Sequence, residues 1–183
     1  MFIQTEQTPN PATLKFLPGR AVMAAGTASF PDREAAKRSP LAESLFGVAG
    51  VEGVFLGSDF VTVTKNVDQE WTALKPTILG VIMEHFTAGK PVVSDAAPEA
   101  SAPAAEDDEI VAQIKELIET RVRPAVAQDG GDIVFHSFED GVVYLHMQGS
   151  CSGCPSSTAT LKAGIENMLR HYVPEVVEVR PVL

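Results

Sequence analysis

Only two cysteines occur among the 183 residues, Cys151 and Cys154. Two thiols cannot build a disulfide framework, and in a reducing compartment a lone pair reads first as metal-binding or redox. Positive charge is also scarce. Lys and Arg number 14 against 24 Asp and Glu, for a net charge of −10 and a sequence pI near 4.8. That balance argues against nucleic acid as a partner, because phosphate binding needs a basic surface, and against an anionic membrane surface. No apolar run approaches the roughly 20 residues of a membrane span. The opening MFIQTEQTPNPATLKF lacks a basic region followed by an apolar stretch, and it is neither Arg-rich nor Ser-rich. No targeting segment is read there, and a cytoplasmic location is the expectation.

Against these absences, hydrophobic residues make up 45% of the chain and charged residues 21%, the balance of a globular protein. The length suits one large domain or two small ones. Residues 90–106, KPVVSDAAPEASAPAAE, are rich in Ala, Pro and acids, with no aromatic and no periodicity. Structureless loops this long are uncommon inside compact domains, so the composition predicts a flexible acidic linker. It separates an N-terminal domain, residues 1–89, from a C-terminal domain, residues 107–183. Each is near the lower size limit for a self-sufficient core.

Hydrophobic patterning gives both halves an α+β class, two small α/β sandwich domains. In the first, strands are expected at Phe2–Glu6 and Thr13–Leu17, around a Thr-Pro-Asn-Pro turn. Ser39-Pro40 reads as a cap and first helical residue, opening a short helix through Phe46. Val51–Leu56 and Phe60–Lys65 flank Gly57-Ser58-Asp59 as a hairpin. Trp71, Leu74, Ile78, Val81, Ile82 and His85 recur at helical spacing, predicting a helix over residues 69–87. The order is β-β-α-β-β-α, a sheet with helices on one face.

In the second half, Asp107 and Asp108 are capping candidates. Ile110, Ile114, Leu117, Ile118 and Val122 mark an apolar helical face, which Pro124 ends or kinks. Gln-Asp-Gly-Gly, residues 128–131, is a strong turn. Strands Ile133–Phe138 and Val142–Met147 flank Glu-Asp-Gly, a hairpin signal. A second helix carries Leu161, Ile165, Met168, Leu169 and Tyr172, and Val176–Val182 closes as a strand. The order is α-β-β-α-β.

Both cysteines lie between the second strand and the second helix, in Gly149-Ser-Cys-Ser-Gly-Cys-Pro-Ser-Ser157. Pro155 suits the first helical position, where a missing N–H is harmless. Cys154 therefore sits at a helix N-terminus, whose partial positive charge and free N–H groups stabilise a thiolate or a bound anionic centre. Gly149 and Gly153 allow unusual backbone angles and close approach of a ligand. Three chemistries use such a loop: iron–sulfur cluster ligation, dithiol–disulfide exchange, and half of a zinc site.

Counting separates them. A cluster and a structural zinc each take four ligands, and one chain offers two cysteines. His136, His146 and His171 read as packed or surface residues rather than ligands. Two chains about a two-fold axis would supply four thiolates at their interface, and isologous dimers are the commonest assembly. Thiol–disulfide exchange of the thioredoxin kind needs a C-x-x-C in a βαβ unit with a parallel sheet beyond. Here the preceding strand pairs in an antiparallel hairpin and one strand follows the helix. Exchange stays the alternative, with the zinc half-site as a third. Ser152, Ser156 and Ser157 could donate to cluster sulfurs or simply cap the helix.

Residues 128–163, through QDGGDIVF and VYLHMQGSCSGCPSSTATLK, resemble the C-terminal iron–sulfur domain of NifU and the Nfu proteins. TPNPATLKFLPG, SPLAESLFGVAGVEGVFLGSDFVTVTK and the W-x-x-LKP helix resemble the Nfu N-terminal domain. The acidic linker alone stands outside the resemblance. It implies a non-enzymatic carrier or scaffold that holds a [4Fe–4S] cluster between two subunits, with [2Fe–2S] the other type, and passes it to apo-proteins. Cys151 and Cys154 would be the ligands. The implied partners are a second copy of the chain, upstream cluster-assembly proteins and apo clients. The N-terminal domain, with no cysteine, is expected to dock or orient clients, and its His85 to pack.

Overall fold

Along Thr13–Leu17 (β2) and Val61–Lys65 (β5), and at Val54 and Leu56 of Val51–Leu56 (β4), large apolar side chains recur at every second residue. That period points them to one face of a pleated sheet. The computed structural model, which describes residues 2–94, 109–151 and 155–182, bears this out. Leu14 lies opposite Val63 and Val63 opposite Val54, while Phe16 lies opposite Val61 and Val61 opposite Leu56. These six side chains form one buried cluster with Leu41, Leu45, Ile78 and Ile82. The last four come from α2 (Pro40–Phe46) and α3 (Trp71–Thr87). The chain divides into two units, Met1–Pro98 and Glu99–Leu183.

Adding β1 (Gln4–Gln7) and β3 (Ala28–Phe30) gives a five-stranded antiparallel sheet in the order β1-β2-β5-β4-β3. Ser39 caps α2 as expected: its Oγ accepts the Ala42 N–H at 3.1 Å, and Pro40 takes the first turn. The element order departs from β-β-α-β-β-α in two additions. Strand β3 is three residues long, too short to show a period. Helix α1 (Arg33–Ala36) is a single turn capped by Asp32, whose Oδ1 accepts the Ala35 N–H at 2.8 Å. The third helix starts at Trp71 rather than residue 69, and Glu70 makes no side-chain cap.

Most of the 90–106 segment lies outside the described residues. Its first residues are tied to the N-terminal unit. Val92 and Val93 pack against that core. Ser39 Oγ donates to the Val92 carbonyl, and the Ser94 N–H donates to Arg38 O at 2.9 Å.

The C-terminal unit opens with α4 (Glu109–Leu117). Pro124 does not end the helix. The chain passes through a π turn, Ile118–Val122, into α5 (Arg123–Gln128), with Pro124 in its first turn and the Arg123 N–H donating to Ile118 O. Proline cannot donate to the carbonyl four residues back. The wider turn re-registers the helix, so the missing bond falls at a new helix start, where no donor is needed. Residues 128–131 then turn the chain into β6 (Gly131–Glu139), which pairs antiparallel with β7 (Val142–Gly149). Asp140 and Gly141 both have positive φ, 49° and 80°, the two-residue turn that suits strand twist. After α6 (Pro155–Tyr172), β8 (Glu178–Val182) lies parallel to β7. Ile114, Ile118, Val122, Ile133, Leu145, Leu169 and Val179 are central to the second core.

Candidate functional site

The cysteine loop leaves β7 at Gly149, where φ is +63°, a left-handed conformation that glycine enters without cost. The α6 backbone begins at Pro155, the residue after Cys154, so the helix start expected from sequence holds. Since β8 runs parallel to β7, β7, α6 and β8 form a βαβ crossover with the cysteine loop at the carboxyl end of its first strand. The hairpin with β6 is present as expected. The loop therefore does lie in a βαβ unit, contrary to the expectation from sequence. Strand direction depends on a pairing more than 30 residues apart along the chain, in which Val142 lies opposite Glu178.

The turn at residues 128–131 forms the seat of the loop. Buried Ser150 donates its N–H to Gly130 O at 3.3 Å and its Oγ–H to Asp129 O. Gly131 lies opposite Gly149 in the β6–β7 register. Gly130 needs its glycine for conformation, with φ +78°. Gly131 needs it for space. A Cβ there would stand 2.5 Å from Cys151 Sγ and 3.0 Å from both Cys151 N and Gln148 O. Cys151 is only 6% exposed and belongs to the apolar core of the unit.

Beyond Gly131, the buried Asp132 carboxylate accepts two bonds from Arg123, Nε to Oδ1 at 2.9 Å and Nη2 to Oδ2 at 2.8 Å. Asp132 Oδ1 also accepts the Ile133 N–H at 2.8 Å. Glu119 takes the remaining Arg123 nitrogen at 2.8 Å. The hydrogen bonds to Asp132, first among the causes, raise the Arg123 pKa above its ordinary value, so this guanidinium is permanently charged. The pair fastens the start of α5 to the start of β6, on either side of the Gln-Asp-Gly-Gly turn.

Of the expected site residues, the structure places Gly149 and Cys151. Ser152, Gly153 and Cys154 lie outside the described residues, as do the side chains of Ser156 and Ser157, whose backbone is in the first turn of α6. His136 is exposed at a bulge of β6, its Nδ1 3.2 Å from Ser137 Oγ. His171 stands edge-on to Tyr172 at the end of α6. Among the described residues no three His, Cys, Asp or Glu side chains are grouped to hold a metal. His85 is buried on α3, its Nε2 without a hydrogen-bond partner among the described residues. Ser150, Gly131 and the Arg123–Asp132 pair were not singled out from sequence. The double glycine was the available signal, and it reads as a turn because the atoms that crowd Gly131 belong to residues 148 and 151.

Known proteins similar in sequence cover the whole chain. A family described as scaffold protein Nfu/NifU N terminal matches residues 3–89, and the NifU-like domain matches residues 114–180. Over 184 residues the chain is 54% identical to the human protein named NFU1 iron-sulfur cluster scaffold homolog, mitochondrial, covering all of this chain and 72% of that one. The chain belongs to the Nfu family. A Drosophila sechellia Nfu protein of the same name is 55% identical, and this chain spans 65% of it. The Arabidopsis thaliana NifU-like protein 4, mitochondrial, is 55% identical over 181 residues, and this chain spans 64% of it. A solution structure of a NifU-like protein from Saccharomyces cerevisiae is 27% identical, covering 52% of this chain and 86% of that one, with a TM-score of 0.47.

These Nfu relatives overturn one expectation. The cytoplasmic location rested on the composition of the first residues alone, whereas the matched human, Drosophila and Arabidopsis proteins are all named mitochondrial.

Proposed function

We propose that this Nfu protein is a non-enzymatic iron–sulfur cluster carrier in which two copies hold one [4Fe–4S] cluster through Cys151 and Cys154 of each and pass it to apo-proteins. The observation that carries this reading is the built seat of Cys151. A loop tied to the 128–131 turn by both polar groups of Ser150 leads into an 18-residue helix that starts immediately after Cys154. The names of the human and insect relatives, iron–sulfur cluster scaffold homologs, agree with it.

The chemistry follows from the count. Two thiolates per chain leave a cluster half-ligated, and a second chain completes it. The positive end of α6 offsets the negative charge of the thiolate-bound cluster without adding a ligand. Ser152, Ser156 and Ser157, with backbone N–H groups of the same loop, would be the donors to cluster sulfurs. A site shared between chains can open by subunit separation or by attack of a client thiol. The N-terminal unit orients the client. Deleting residues 1–89 is expected to slow transfer to an apo-client; an unchanged rate removes that role.

Anaerobic reconstitution with iron and sulfide tests the ligand assignment. Wild-type protein should take up about four irons per dimer, and Cys151→Ala and Cys154→Ala should take up none. A Cys151→Ala protein that loads fully contradicts the assignment. Disulfide turnover without metal would instead mark a thiol–disulfide oxidoreductase.

A further inference from the structure

Gly131 has no conformational reason to be glycine: its φ lies outside the left-handed region, so any residue could adopt its backbone. What opposes a side chain first is one movable atom, the Cys151 sulfur, with Cys151 N and Gln148 O behind it at 3.0 Å. The space a Cβ would fill is already taken by Cys151 Sγ, 2.5 Å away, closer than real Cβ atoms approach anything. The thiol is thus turned inward, against the β6 backbone and into a core that includes Ile133, Met147 and Ile165. At 6% exposure the residue offers another chain little of its surface in this position. Ligation requires the sulfur to leave this position, and a rotation about its own Cα–Cβ bond moves Sγ alone.

We infer that Gly131 is a positioning residue: its missing side chain is a berth for the Cys151 thiol, filled in the cluster-free protein and vacated when the sulfur ligates iron. The inference rests on Cys151 being a cluster ligand. The berth has two consequences. It shields one of the two thiols from oxidants and electrophiles while the carrier is empty, since a thiol buried in apolar surroundings is inert. It also gives the departing sulfur a packed position to return to, which favours discharge over rebinding. The exchange is balanced and involves no redox change. For each Fe–S bond broken at Cys151, one forms to an incoming thiolate. The proton lost by the incoming thiol is taken up by the Cys151 sulfur, which re-enters the berth neutral.

The test uses full-length apo-protein, kept anaerobic and treated with iodoacetamide, with modification of each cysteine read separately by peptide mass. Wild-type Cys151 should react about tenfold or more slowly than the same residue in the denaturant-unfolded chain. Gly131→Ala evicts the thiol and should bring Cys151 close to the unfolded rate while leaving Cys154 unchanged. General loosening of the fold would raise both cysteines together and would overturn the proposal. So would a Gly131→Ala protein whose Cys151 stays as protected as in wild type. If Gly131→Ala does not fold, wild type alone decides: a Cys151 as reactive as in the unfolded chain leaves no berth. A second readout follows loss of visible cluster absorbance when loaded protein meets excess glutathione. Loss should be several-fold slower in Gly131→Ala, and an equal rate removes the part of the berth in release. Failure of the ligand assignment looks different: Cys151→Ala would then load cluster normally whatever the alkylation rates.

Discussion

Arg123 and Asp132 meet across two parallel hydrogen bonds, 2.9 and 2.8 Å, with the carboxylate side chain 4% exposed and the guanidinium side chain 26% exposed. Breaking such a pair from the Arg side strands a buried charge. Arg123→Ala should therefore cost about 3 kcal/mol, the low end for a buried pair because Arg123 is partly solvated. Urea unfolding of the full chain measures it. Because the pair brackets the 128–131 turn, iron loading of Arg123→Ala should fall as well. Arg123→Lys keeps the charge but not the fork, and should recover only part of both.

Ser150→Ala removes one of the two bonds that seat the cysteine loop, the one from Oγ to Asp129 O, and leaves the N–H to Gly130 O. A cost of about 1 kcal/mol is expected, as for a single neutral hydrogen bond. Amide hydrogen exchange at Gly130 and Ser150 should quicken, while exchange in α3 stays as it is.

His85 gives the N-terminal unit a pH dependence. Burial, and secondarily the charge of Lys90, lowers its pKa below the ordinary value of 6.5. The folded unit thus binds fewer protons at this ring than the unfolded chain does. Its contribution to stability is complete above pH 6.5 and is lost as the pH falls through the lowered value. Thermal unfolding of this unit should drop between neutral and mildly acidic pH, and His85→Leu should flatten that slope. An identical slope in the variant would assign the dependence to other groups.

Elements whose signals are local were legible in the sequence. Ser39-Pro40 opened α2, Asp140-Gly141 turned the β6–β7 hairpin, and Pro155 opened α6, because caps and tight turns are decided within a few residues. Strand β3 was not legible, since three residues carry no period. The π turn was hidden because Pro124 reads as an end or a kink without saying which, and the buried Val126 beyond it belongs to the core. At the site, Cys151 and Gly149 stood out through spacing and composition. The reason for Gly131, the partner of buried Asp132 and the parallel course of β8 each depend on a contact beyond the reach of local patterning. The first residues carry no information on compartment, which is where that expectation failed.

In the proposed function one chain holds half a cluster site. Mass measurement under non-denaturing conditions, on full-length protein reconstituted anaerobically with iron and sulfide, tests it most directly. The expected species is two chains plus one four-iron, four-sulfide cluster, lost in both Cys151→Ala and Cys154→Ala. A single chain carrying a complete cluster, or a two-chain species bearing zinc in place of iron, would contradict it.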